Sequence, residues 1–200
     1  MKDKQKIREE MVALCLESFH EGLFTGTSGN LSVYLKEEGL MLITPTSVRY
    51  DVMRPEDIVL CDLEGNIAEG HLNPSSEWRM HAIVYKNYPD TGSVFHTHSP
   101  YATAFAVVHK AIPATLIETH FFLGGTVECA AYATPGTDGV GLNAVPALKG
   151  KGGCLLANHG VLAVGMDMQQ AKLRAEYIED SAKIYQYACA LGTPVVLDQL

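Results

Sequence analysis

Short apolar runs, each stopped by a turn-forming residue, alternate along this chain with stretches whose apolar residues recur at helical spacing. That alternation restricts it to an α/β or α+β class. The spacing predicts strands at Asn30–Leu35, at Leu40–Ile43 before Thr44-Pro45, and at 57–61 before the turn 62–66. Further strands are predicted at 93–98, 126–131, 153–157 and 161–164, the last two around Asn158-His159-Gly160. Helices are predicted at 3–21, with Ile7, Met11, Leu14 and Cys15 inward and Gly22 as the stop, and from Pro74-Ser75-Ser76-Glu77 to about Tyr88. Others follow at 100–108, at 137–149, and from an Asp167 cap to about Ala190. Several strands are joined by connections too short for a crossover, which favours a partly antiparallel sheet with helices on its faces.

Two hundred residues make one domain, 1–200, long enough to bury a full core. A net charge of −8 argues against a nucleic-acid partner, which needs a basic face. No apolar run approaches a membrane span, and the charged start Met1-Lys2-Asp3-Lys4 lacks the apolar centre of a signal peptide. The five cysteines are scattered and in no CxxC spacing, as expected of small core residues in a reducing cytoplasm.

Histidine is the informative residue. In Val94-Phe95-His96-Thr97-His98, positions i and i+2 of a strand point to one face, so both imidazoles could converge on one zinc-like ion. His159 sits where an apolar strand enters a tight turn, a place that suits either a third ligand or a turn filler. Glu77, in the first turn of its expected helix, reads as a dipole partner, a fourth ligand or a general base. His81, four residues on, reads as a core or supporting residue. Three imidazoles leave a zinc one open position, and a carboxylate beside it could move a proton on and off carbon, which suits chemistry next to a carbonyl.

Three hydroxyl- and glycine-rich turns could bind an anion through N–H and O–H donors: Thr25-Gly26-Thr27-Ser28-Gly29-Asn30, Thr44-Pro45-Thr46-Ser47, and Ser75-Ser76 at a helix start. No Walker or GxGxxG pattern is present, so a nucleotide is not expected.

These stretches, Gly26-Thr27-Ser28-Gly29-Asn30-Leu31-Ser32, Leu42-Ile43-Thr44-Pro45-Thr46, Pro74-Ser75-Ser76-Glu77-Trp78-Arg79-Met80-His81, His96-Thr97-His98 and Asn158-His159-Gly160, resemble the class II aldolase/adducin superfamily, nearest its fuculose-phosphate aldolase branch. The resemblance spans about residues 7–190. It implies an α/β/α three-layer sandwich around a mainly antiparallel sheet, and a homotetramer with sites between subunits. It makes His96, His98, His159 and Glu77 ligands of Zn²⁺ (or Mn²⁺ or Co²⁺), with Glu77 leaving the metal to act as acid and base. It gives Gly29, Asn30, Thr46, Ser47, Ser75 and Ser76 the phosphate of a small-molecule sugar phosphate. The implied reaction is reversible cleavage of a ketose 1-phosphate to dihydroxyacetone phosphate and an aldehyde through a zinc-stabilised enediolate.

Two departures fall on the aldehyde end. Where the family places a relay tyrosine, after Ile112-Pro113-Ala114, this chain has Ile117 followed by Glu118, Thr119 and His120; Glu118 or His120 could be the relay, or either could be structural. The chain stops at Leu200, soon after Pro194-Val195-Val196-Leu197, without most of the family's C-terminal tail. A 5-deoxypentulose or methylthioribulose 1-phosphate therefore stands beside L-fuculose 1-phosphate as substrate. The alternatives are a sugar-phosphate 4-epimerase or dehydratase of the same superfamily, or a metal-free adducin-like assembly module.

Overall fold

A computed structural model describes residues 3–197. Met1, Lys2 and residues 198–200, on which the expectations about leader and tail partly rest, lie outside the described residues.

Helix α1 (Lys4–His20) starts where the Asp3 carboxylate accepts the Gln5 and Lys6 amides, and it buries Ile7, Met11, Leu14, Cys15 and Ser18. Strands β1 (Asn30–Leu35), β2 (Leu40–Ile43), β3 (Val59–Asp62) and β4 (Ile67–Glu69) follow as an antiparallel meander. Then come α2 (Trp78–Asn87), β5 (Ser93–Thr97), α3 (Pro100–Val107), α4 (Ile117–Leu123), β6 (Cys129–Ala130) and α5 (Asp138–Ala147). The chain finishes with β7 (Gly153–Leu156), β8 (Gly160–Gly165) and α6 (Met168–Leu191). The Asp167 carboxylate caps α6 by accepting the Gln170 amide at 2.8 Å.

The eight strands form one mixed sheet in the order β4-β3-β2-β1-β5-β8-β7-β6, antiparallel except for β6 on β7. Side-chain alternation divides its residues between two apolar clusters. Phe95, Leu31 and Leu42 join the cluster that includes α1, α3 and α6 residues; Val94, Met41 and Ile43 join the one that includes α2 and α5 residues. Phe24 lies between Tyr50 and Phe95, with centroids 4.4 and 5.0 Å away.

Two expectations need correction, and two elements have no counterpart among the expectations. Helix α2 begins at Trp78, because Pro74 bridges to Pro45 in the loop after β2 and the Trp78 amide closes a turn on the Ser75 carbonyl, and Glu77 is its cap residue rather than part of its first turn. The strand expected at 126–131 is paired only over Cys129–Ala130; nearby, Val127 bridges to Ile112. Strand β4 and helix α4 were not foreseen. The Ile67–Glu69 strand is exposed throughout, and Ile-Glu-Thr-His-Phe-Phe-Leu has no clean apolar stripe, with Ile117, Phe121 and Phe122 turned to solvent.

Candidate active site

Antiparallel pairing brings the start of β1, the end of β5 and the start of β8 together at one end of the sheet's central strands. Asn30 pairs with His96, and His96 with Leu162. Alternation sends His96 to the face of Val94, where α2 packs, and leaves His98 two residues on, past the strand end. The β7–β8 turn then delivers His159. In that turn Asn158 has φ +54°, and its Oδ1 lies 2.5 Å from Nε2 of His109, another left-handed residue at the end of α3. This clamp joins residues 49 apart in sequence, so no local signal marks it.

The close approach of β8 to β5 depends on Gly160. A Cβ there would overlap the Thr97 carbonyl oxygen and come within 3.1 Å of the His98 ring. Gly29, at φ +89°, likewise allows its loop to pass over Phe24 and the His96 carbonyl.

The four ligand atoms of Glu77, His96, His98 and His159 lie within 4.8 Å of one another. Nε2 of His96 is 3.1 Å from Glu77 Oε2 and 3.0 Å from Nε2 of His98; Nε2 of His159 is 3.2 Å from Glu77 Oε1. His96 is fully buried, and its Nδ1 donates to the Val161 carbonyl at 2.7 Å, which leaves Nε2 with a lone pair when the ring is neutral.

The donor set fits a divalent cation. Without one, two imidazole nitrogens face each other and the buried Glu77 Oε1 has no hydrogen-bond partner. A central ion would satisfy both. Three imidazoles and one carboxylate suit zinc or a neighbouring divalent ion.

Charge follows the same geometry. Burial would raise the Glu77 carboxyl, but His96 and His159 outweigh it and hold it well below the usual carboxylate range. Burial also opposes charge on His96, yet the facing Glu77 carboxylate raises it overall. His98 is lowered to about 3, first by burial and then by His96 and His159, so it offers a neutral lone pair. His81, lowered to about 3 by complete burial and then by His96, stays neutral as well.

A pH effect on stability follows. A histidine near 3 when folded and about 6.5 when unfolded contributes stability that is full above 6.5 and is lost as pH falls toward 3. In metal-free protein the urea midpoint is therefore expected to decline from about pH 6.5 downward, before the carboxylates titrate. A midpoint that stays flat between pH 6.5 and 5 would contradict neutral burial of His81.

The three hydroxyl-rich loops meet around Thr44. Its Oγ1 accepts the Leu31 amide, its carbonyl accepts the Ser75 amide, and Pro45 bridges to Pro74. The amides of Thr46 and Ser75 are thus spent on carbonyls, and the Glu77 amide on Ser75 Oγ, so the open helix-start donors expected there are partly used. The hydroxyls of Thr46, Ser47 and Ser76 make no hydrogen bond among the described residues, and Thr46 and Ser76 line one hollow with Arg79. Gly29 is held in place by the Tyr50 hydroxyl, which donates to its carbonyl at 2.6 Å. Asn30 has its side-chain amide turned toward Glu77, at 3.0 Å. Glu118 lies half-buried in the first turn of α4 and is not one of the four clustered residues. Arg49 is paired with Asp51, and His20 and His71 are exposed.

One eight-stranded mixed sheet with six α-helices among the described residues, carrying this cluster at the ends of its central strands, is the class II aldolase fold. The chain belongs to the class II aldolase/adducin family: the family model described as Class II Aldolase and Adducin N-terminal domain matches residues 9–186. It is similar to a 5-deoxy-D-ribulose 1-phosphate aldolase of Bacillus thuringiensis serovar kurstaki, 39% identical over 98% of this chain and 91% of the relative. It is also similar to the L-fuculose phosphate aldolase of Escherichia coli K12, 35% identical over 96% and 88%. A solved L-fuculose 1-phosphate aldolase superposes with a TM-score of 0.93 at 38% identity, covering 97% of this chain and 91% of that one.

Proposed function

We propose that this chain is a divalent-metal-dependent class II aldehyde-lyase. It reversibly cleaves a ketose 1-phosphate, either L-fuculose 1-phosphate or a 5-deoxypentulose 1-phosphate, to dihydroxyacetone phosphate and an aldehyde. The observation that carries this reading is the meeting of three imidazole nitrogens and a buried carboxylate, drawn from β5, the β7–β8 turn and the start of α2.

His96, His98, His159 and Glu77 would hold a Zn²⁺, Mn²⁺ or Co²⁺ ion, which would supply Lewis acidity for a carbonyl oxygen where charge develops. Glu77 delivers a proton to C3 in cleavage and removes it in condensation. Its two oxygens differ: Oε2 accepts from Asn30 and faces His96 Nε2 at 3.1 Å, whereas Oε1 has no such donor and faces His159 Nε2 at 3.2 Å. Gly29, Asn30, Thr46, Ser47, Ser75 and Ser76 hold the phosphate, supported by the convergence of their loops and the unpartnered hydroxyls. Phosphate contacts orient C3 against Glu77. Glu118 handles the proton of the hydroxyl that becomes the aldehyde, from a neighbouring subunit of a homotetramer.

The same reading takes 1–200 as one three-layer domain with a mainly antiparallel sheet. Its supports are the two apolar clusters and the antiparallel ladders. A cytoplasmic location accords with the absence, among the described residues, of a helix long and apolar enough to cross a membrane.

Purified protein is expected to carry about one divalent ion per chain. In D₂O it should exchange a C3 proton of dihydroxyacetone phosphate, lose that exchange on chelation, and regain it with Zn²⁺ or Co²⁺. No exchange by metal-loaded protein would reject the reading. A panel of aldehydes condensed with dihydroxyacetone phosphate then identifies the substrate, and retention of dihydroxyacetone phosphate in the site would favour an epimerase.

A further inference from the structure

A buried hydrogen-bond chain runs away from Glu77 on the side opposite its unpartnered oxygen. Asn30 Nδ2 is 3.0 Å from Glu77 Oε2; Asn30 Oδ1 is 2.5 Å from His81 Nε2; His81 Nδ1 is 2.7 Å from Ser32 Oγ; Ser32 Oγ is 2.6 Å from the Tyr85 hydroxyl. Asn30, Ser32, His81 and Tyr85 are all buried, so each must satisfy its polar atoms within the protein.

The direction of every bond follows from two facts, an ionised Glu77 and a neutral His81. An ionised carboxylate only accepts, so Asn30 must present its NH₂ to Glu77 and its carbonyl oxygen to His81. His81 must then carry its proton on Nε2. Neutral His81 has a lone pair on Nδ1, so Ser32 donates to it. The single Ser32 proton is thereby committed, and the Tyr85 hydroxyl donates to Ser32. Four donors point the same way, and the chain ends on Oε2.

We infer that His81, acting through Asn30, is a positioning residue that pins Oε2 of Glu77 and so fixes how the carboxylate faces His96, His159 and the cation between them. The inference rests on Glu77 being the working carboxylate of the proposed aldolase site. It gives Asn30 a task separate from phosphate binding. Loss of His81 frees the Asn30 amide to rotate, and the carboxylate loses its fixed orientation without losing any of the three imidazoles. Supporting groups of this kind typically change metal affinity by about 10–100-fold.

Two measurements test it. In metal-free wild-type protein at neutral pH, long-range ¹H–¹⁵N NMR should find His81 as the neutral Nε2–H tautomer; an Nδ1–H tautomer or a doubly protonated ring overturns the inference. In Co²⁺ titrations, His81→Phe should weaken binding about 10–100-fold and change the visible spectrum while the far-ultraviolet circular dichroism is retained. His81→Gln, whose amide can donate to Asn30, should recover part of the loss. Because His81 acts through Asn30, adding His81→Phe to Asn30→Ala should cost nothing further. Additive losses, or an unchanged Co²⁺ spectrum and affinity in His81→Phe, overturn the inference. Should His81→Phe fail to fold, His81→Gln against the wild type and the tautomer assignment decide. Failure of wild-type protein to bind Co²⁺ would instead remove the aldolase reading, while the tautomer result would stand by itself.

Discussion

Replacing Glu77 by Gln is expected to lower turnover by about 10²–10⁴-fold and to leave the KM for the phosphorylated substrate within a few-fold. The substitution is close to isosteric, so packing around a side chain only 10% exposed is preserved. What changes is chemistry. An amide cannot shuttle a proton at neutral pH, and only one of its two edges can accept. Asn30 can keep its acceptor if the new carbonyl oxygen faces it, which turns an NH₂ toward His159 where Oε1 had been 3.2 Å away. His96, His98 and His159 remain to hold the metal, so metal content should fall far less than activity. Steady-state kinetics and metal analysis on the same preparation check this. Equal losses in substrate affinity and turnover would mean that Glu77 chiefly shapes the site.

Gly160→Ala is expected to destabilise the fold by about 3 kcal/mol or more and to reduce turnover by at least about 100-fold. The added methyl would meet the Thr97 carbonyl, a backbone atom inside the sheet that cannot rotate aside. Strands β5 and β8 would have to separate at the register pair Thr97–Val161. That separation stretches the 2.7 Å bond from His96 Nδ1 to the Val161 carbonyl and carries His159 away from His96 and His98. Gly192→Ala, in open space after α6, serves as the comparison and should leave both properties unchanged. Thermal denaturation and Co²⁺ affinity of the two variants check the claim, and wild-type behaviour of Gly160→Ala would contradict it.

Both substitutions act at the same end of the central strands, yet they separate two requirements. In the proposed reaction Glu77 is needed for what its carboxylate can accept and release. Gly160 is needed for what it lacks, since only a residue without Cβ lets the His159 turn close onto the end of β5.

Local sequence determined the elements whose signals are local. Asp3 and Asp167 start α1 and α6 because their carboxylates reach amides two or three residues on. Leu40–Ile43 reads as a strand because Thr44-Pro45 ends it. Alternation along β5 fixes the face of His96, whereas His98 lies one residue past the strand end and joins it through the chain that follows. The family motifs contain the four residues whose donor atoms cluster, Glu77, His96, His98 and His159. Tertiary structure alone decided how they converge. His159 meets His96 because β8 lies beside β5 and Gly160 permits the approach. Asn158 is held by His109, and Glu77 is tied through Asn30 to His81, by contacts that span 47 to 51 residues. Such pairings depend on strand order and on which face a helix covers. These properties emerge when the whole chain buries its apolar surface at once, so no window of sequence holds them.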